Sequence, residues 1–119
     1  MSKPTTPAVG KKAKAAAREA AGPVKFTPEE IQKSLEGVPE WSEAGGGIQR
    51  TYAFKDFVAS IKFVNSVAEA AEAAQHHPDI LIRWNKVTLT LTTHDAGGIS
   101  AKDFELARRA DELARVLPE

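Results

Sequence analysis

The chain carries three histidines, His76, His77 and His94, and each stands where the hydrophobic pattern breaks. His76 and His77 close an Ala- and Glu-rich stretch and run straight into Pro78; His94 closes an alternating stretch just before Asp95-Ala96-Gly97-Gly98. Imidazole is the side chain that ordinarily titrates nearest neutrality, so two such rings can deliver one proton and remove another at pH 7. Junctions between elements are places where a side chain is held firmly, and Asp103 stands at another, in the first turn of the closing helix.

Other chemistries find less support. The sequence has no cysteine, which excludes disulfides, thiolate catalysis and Cys-based zinc sites. No HxH or HxxxH spacing occurs, and adjacent His76 and His77 do not naturally point at one ion. GxSxG, P-loop and GxGxxG patterns are also missing; Gly45-Gly46-Gly47 leads into a strand, where a phosphate cradle needs a helix. Plainer roles compete for each residue singly. A histidine at a helix C-terminus complements the macrodipole, an aspartate in a first turn is a common helix-start anion, and Trp84 reads as core or interface.

The elements that must position these groups follow from the pattern. Thr27-Pro28-Glu29-Glu30 is a helix start, with Thr27 as cap, Pro28 in the first turn and Glu30 completing a capping box. Ile31, Leu35 and Val38 give that short helix its apolar face, and Gly37 and Pro39 end it. Trp41-Ser42-Glu43 and the alternating run Ile48 to Phe54 flank the three glycines as a hairpin. From Asp56 as N-cap the period changes, and Phe57, Ile61, Val64, Val67 or Ala68, and Ala71 predict a long amphipathic helix to about Gln75. Pro78 forbids its continuation. Ile80 to Trp84 predicts a strand, Asn85-Lys86 a tight turn, and Val87, Leu89, Leu91 and Thr93, alternating with Thr88, Thr90, Thr92 and His94, the strand that returns. Ser100, with Asp103 three residues on, caps a last helix whose apolar side is Phe104, Ala107, Leu113, Ala114 and Leu117. The order α-β-β-α-β-β-α predicts an α+β domain: a four-stranded, mainly antiparallel sheet with three helices on one face. Its opposite face is rich in threonine, and one edge stays open for a second subunit.

Length and charge set the outer bounds. At 119 residues the chain is sized for one domain with a marginal core, so burial of further surface in an oligomer is expected. The formal net charge is zero, yet residues 1–22 hold Lys3, Lys11, Lys12, Lys14 and Arg18 against Glu19 alone, leaving the remainder acidic. This predicts a basic, disordered N-terminal arm, with a nascent helix at most over Lys11–Ala21, ahead of a domain over 23–119. An acidic domain speaks against direct nucleic-acid binding. No apolar run approaches the ~20 residues of a membrane span, and no secretory signal opens the chain, so a cytoplasmic protein is expected.

Taken together, Glu72, His76-His77-Pro78, Trp84, His94 and Asp103 stand at spacings that resemble the signature of the pterin-4a-carbinolamine dehydratases. The resemblance runs from about Thr27 to the C-terminus. It takes in Trp41, the stretch Tyr52 to Phe57, Asn85-Lys86-Val87, Thr93-His94 and Ile99 to Asp103.

That resemblance implies the same fold, a homodimer that can pair into a homotetramer, and a reaction needing neither metal nor organic cofactor. It implies a 4a-hydroxytetrahydropterin as substrate, released by an aromatic amino acid hydroxylase and dehydrated to quinonoid dihydropterin in tetrahydrobiopterin recycling. On the family's pattern His76 and His94 are the general acid/base pair, His77 positions the pterin or shares the proton relay, and Asp103 orients His94. Trp41 supplies an apolar wall, Glu72 a hydrogen-bonding carboxylate, and the backbone of His76–Pro78 contacts for the flat ring. Relatives of this fold also serve as non-catalytic binding proteins, as Rubisco assembly factors or as dimerisation cofactors for a transcription factor. The presence of all three histidines and Asp103 favours the enzyme, and the basic arm is the feature that favours a binding role.

Overall fold

The computed structural model describes residues 22–117. The basic arm and its nascent helix therefore lie outside the described residues, Gly22 excepted. The elements are α1 (Pro28–Leu35), β1 (Ser42–Ala44), β2 (Gly47–Ala53), α2 (Phe57–Ala74), β3 (Asp79–Arg83), β4 (Lys86–Leu91), a single 3-10 turn (His94–Ala96) and α3 (Ala101–Val116). The strands form one antiparallel sheet in the order β1-β2-β4-β3. This is the expected α+β arrangement. Among the described residues, no helix is long and apolar enough to cross a membrane.

Local chemistry starts each helix. Thr27 and Glu30 close a reciprocal capping box on α1, and Asp56 accepts the Ala59 amide at the start of α2. Ser100 and Asp103 close a second box on α3. Each device satisfies amides that the first helical turn leaves without partners.

The core lies between the helices and one face of the sheet. Val87, Leu89 and Leu91 of β4 point inward with Ile48 and Tyr52 of β2, against Phe63, Val67 and Ala71 of α2 and Phe104 and Ala107 of α3. Each large aliphatic or aromatic side chain buried here contributes roughly 1.5–3 kcal/mol. The other face carries Thr51, Thr88 and Thr90, and the hydroxyls of Thr51 and Thr88 meet at 2.7 Å across the strands. Gly47 is required where β2 crosses the end of β4, because a Cβ there would stand 2.4 Å from the Leu91 carbonyl oxygen.

Two sequence expectations are corrected. Phe57 was expected on the buried stripe of α2 but is half exposed, at 50%. The stripe that packs runs through Ala59, Ser60, Phe63, Val67 and Ala71. Phe63 and Val67 sit one turn apart on the side facing the sheet and set the phase, and Phe57 falls off it. The tip of the second hairpin is also one residue earlier than expected. Arg83 pairs with Lys86, so the turn is Trp84-Asn85 and Trp84 is not part of the strand. Trp84 has a left-handed φ of +53° and is 69% exposed, which excludes it from this chain's core. Asn85 ties the tip down: its side-chain amide donates to the Phe54 carbonyl and its own carbonyl accepts the Phe54 amide.

Candidate active site

How α2 ends decides where His76 goes. Gln75 takes a left-handed φ of +54°, and its amide bonds the Glu72 carbonyl while the His76 amide reaches back to that of Ala71. This pair of bonds is a Schellman closure, usually built on glycine. Here a side-chain bond from Gln75 Nε2 to the Glu72 carbonyl, 2.9 Å, helps offset the cost of a non-glycine residue in that conformation. The closure folds His76 back toward the protein, and Pro78 keeps the chain extended into β3.

His76 is 8% exposed, and its Nε2 lies 2.6 Å from Asp103 Oδ1. Asp103 is fully buried. Its Oδ2 accepts the Thr93 hydroxyl at 2.8 Å and the Ser100 amide at 2.9 Å. One carboxylate therefore finishes the cap of α3 and holds a ring from the end of α2. A buried charge is tolerated only when hydrogen bonds replace its water, and three do so here. The sequence expectation that Asp103 orients His94 is corrected: the ring on that carboxylate is His76. The spacing along the chain could not choose between the two histidines, because the Schellman turn alone brings His76 inward.

His77, the next residue, faces solvent and pairs through Nε2 with Glu72 Oε2 at 2.6 Å. Both partners are more than half exposed, so water screens the pair and it adds little to stability. Pro78 follows, half-buried. His94 is exposed on the 3-10 turn, and its ring has no hydrogen-bond partner among the described residues. Its backbone is nonetheless fixed: Thr93 and Gly98 exchange two hydrogen bonds, at 3.0 and 3.2 Å, which close the loop that carries it. The fold thus gathers Glu72, His76, His77, His94 and Asp103 around the end of α2, the start of α3 and the loop after β4. His76 also lines a groove of about 530 Å³ between α2 and α3, with Ala70 and Ala73 on one wall and Lys102 and Arg109 on the other. Among the described residues, no three His, Asp or Glu side chains are placed to share a metal ion.

Trp41 stands elsewhere. It is 3% exposed, and its indole N–H donates to Asp111 Oδ1 at 3.0 Å. Arg50 and the Tyr52 hydroxyl donate to the same oxygen, and the Arg50 guanidinium lies 4.3 Å over the Tyr52 ring. Asp111 is eight residues beyond Asp103 on α3, about 12 Å along the helix axis. Burial and the bond to Asp111 hold the Tyr52 phenol well above its usual titration range. A cleft of about 620 Å³ opens beside Arg50, Tyr52 and Asp111, and none of the three histidines lines it.

Two features escaped the sequence reading: this Asp111 cluster and the part played by Thr93. A signal for Thr93 was present. The alternation that turns Val87, Leu89 and Leu91 inward also turns Thr93 inward, and a buried hydroxyl needs a partner.

Comparison with known proteins decides the family. Residues 24–113 match the model of the family described as pterin 4 alpha carbinolamine dehydratase. The chain belongs to that family. A relative in Picosynechococcus sp., named by inference as pterin-4-alpha-carbinolamine dehydratase, is 55% identical over 89 residues, 75% of this chain and 97% of its own length. One in Nocardia farcinica, named likewise, is 53% identical over 90 residues, 76% of this chain and 95% of the relative. Among solved structures, a transcriptional coactivator/pterin dehydratase from Brucella melitensis superposes with a TM-score of 0.73 at 30% identity, covering 76% of this chain and 98% of the other. A pterin dehydratase-like protein identified as a RuBisCO assembly factor in the alpha-carboxysome gives 0.55 at 26% identity, covering 63% and 89%. The solved neighbours thus include one identified as an assembly factor beside one named as a pterin dehydratase.

Proposed function

We propose that this chain is a 4a-hydroxytetrahydropterin dehydratase that works by histidine general acid/base catalysis. The substrate carries a hydroxyl on a ring carbon beside a ring N–H. One imidazolium protonates the departing oxygen and a neutral imidazole takes the proton from the nitrogen, so the products are quinonoid dihydropterin and water. No oxidant or reductant enters the balance. His76 and His94 fill the two roles, His77 with Glu72 steadies the pterin, and the backbone of His76–Pro78 offers donors and acceptors to its edge.

The observation that carries this reading is the His76–Asp103 pair, buried at 2.6 Å while the His94 loop begins at the residue that bonds the same carboxylate. Asp103 holds the ring by one nitrogen and leaves the other free, which suits a group that gains and returns a proton. General acid/base assistance of this kind is worth about 10²–10⁴-fold, enough for a dehydration that proceeds slowly unaided. The setting that suits it is a cytoplasmic homodimer or homotetramer recycling tetrahydrobiopterin, coupled to an aromatic amino acid hydroxylase.

The test is the rate of quinonoid dihydropterin formation from enzymatically generated 4a-hydroxytetrahydropterin, with and without the protein, in a metal chelator. Acceleration that survives chelation supports the dehydratase. Folded protein without effect sinks it, and directs the search to a binding role like that of the RuBisCO assembly factor.

A further inference from the structure

We infer that Thr93 is a positioning residue for both candidate catalytic histidines, and that the carboxylate it bonds leaves His76 Nδ1 as the nitrogen that exchanges the proton. The consequence for turnover rests on the dehydratase reading; the assignment of the ring nitrogen does not.

Counting protons gives the direction of each bond. The Thr93 hydroxyl has one proton and two close oxygens, Asp103 Oδ2 at 2.8 Å and Ser100 Oγ at 2.7 Å. A carboxylate only accepts, so the Thr93 proton goes to Asp103. Thr93 must then accept from Ser100, whose oxygen in turn accepts the Lys102 amide at 3.2 Å. The Ser100 amide, which can only donate, also points at Oδ2. Every donor on that side is thus assigned, and Oδ1 is left to accept from His76 Nε2. The neutral ring therefore carries its proton on Nε2 and its lone pair on Nδ1. Among the described residues, Nδ1 has no hydrogen-bond partner.

The backbone of Thr93 does the second half of the work. Its N–H and C=O pair with Gly98, its C=O also accepts the Ala96 amide, and Gly97 turns the loop with a φ of +77°. These bonds fix where His94 leaves the sheet. A single buried residue, two positions beyond the end of β4, therefore sets the carboxylate that turns His76 and the loop that carries His94. A small shift at Thr93 misaligns both rings at once, and misplacement of this kind is costly in general acid/base catalysis.

The experiment is two-bond ¹⁵N–¹H correlation spectroscopy of the three histidine rings, assigned with His77→Ala and His94→Ala. It is run on the wild type, Thr93→Val and Thr93→Ser, alongside steady-state kinetics. The wild type should show neutral His76 as the Nε2–H tautomer alone. Thr93→Val keeps the shape and loses the donor; it should keep the Nε2–H tautomer, which the carboxylate dictates, and lower kcat about tenfold with KM changed less than about twofold. Thr93→Ser restores the hydroxyl and should recover kcat. A wild-type ring protonated on Nδ1, or a Thr93→Val protein with unchanged kcat, overturns the proposal. If Thr93→Val does not fold, the wild-type tautomer and the Thr93→Ser protein still decide it. An Nε2–H ring in a chain without dehydratase turnover supports the nitrogen assignment and overturns the catalytic reading instead.

Discussion

His76 Nε2 and Asp103 Oδ1, which belong to residues 27 positions apart in the chain, lie 2.6 Å from each other, with the carboxylate fully buried and the ring nearly so. The pair joins the end of α2 to the start of α3, and Thr93 bonds the same carboxylate. Stability and, on the dehydratase reading, proton transfer are therefore coupled through one side chain.

Asp103→Asn tests that coupling. An amide keeps the shape but loses the charge, and one of its two positions becomes a donor facing the present donors. Replacing a hydrogen-bonded buried charge in this way is expected to cost about 3 kcal/mol of unfolding free energy, and to slow dehydration by about 10²-fold. Urea unfolding and the dehydratase assay read the two effects separately. A variant as stable and as fast as wild type would remove Asp103 from both roles.

His76→Ala and His94→Ala should part company in stability while agreeing in activity. Removing His76 leaves a buried carboxylate without its partner, at a cost of about 3 kcal/mol. His94 is exposed and its ring bonds no described residue, so His94→Ala should stay within about 0.5 kcal/mol of wild type. Both variants should lose about 10²-fold or more in turnover. Full activity in either one removes that histidine from the acid/base pair.

Asp111→Ala probes the second cluster. It leaves the buried Trp41 indole and the Tyr52 hydroxyl without their acceptor and frees Arg50. A loss of about 2–4 kcal/mol is expected, from orphaned donors and a lost ion pair. The midpoint of urea unfolding measures it, and an unchanged midpoint would show that water replaces the carboxylate at no cost.

Tyr52 is the sole tyrosine, so the ultraviolet absorbance of tyrosinate reports on it alone. Burial, and then the bond to Asp111, raise its pKa above the ordinary value of 10.0. The sign follows directly. Above that ordinary value the unfolded chain gives up its phenolic proton while the folded chain keeps it, so folding becomes less favourable as pH rises. Tyrosinate should therefore appear together with the loss of circular dichroism, in one alkaline transition. Ionisation near pH 10 with the fold intact would contradict the burial of Tyr52.

Much of the scaffold was legible because its causes are local. A capping box needs residues three apart, and Thr27/Glu30 and Ser100/Asp103 form the boxes their spacing predicts. Alternation needs only the next residue but one, so Val87, Leu89 and Leu91 were assigned to the core without the fold. The misreadings came from phase and geometry. Phe57 is apolar at an acceptable helical spacing, yet only the sheet beneath α2 decides which stripe is buried. Trp84 continues an apolar run, yet the pairing of Arg83 with Lys86 puts it at the exposed tip.

The amino-acid order by itself determined the element sequence, the helix caps, the threonine face and which side chains have chemistry near neutral pH, because each depends on neighbours within a few residues. Tertiary structure alone decided which histidine Asp103 holds, and that Trp41 bonds Asp111. These contacts close over 27 and 70 residues, and their hydrogen bonds reach full strength only once water is removed from around them. That removal happens only when helices and sheet have packed, so no local rule could rank His76 above His94.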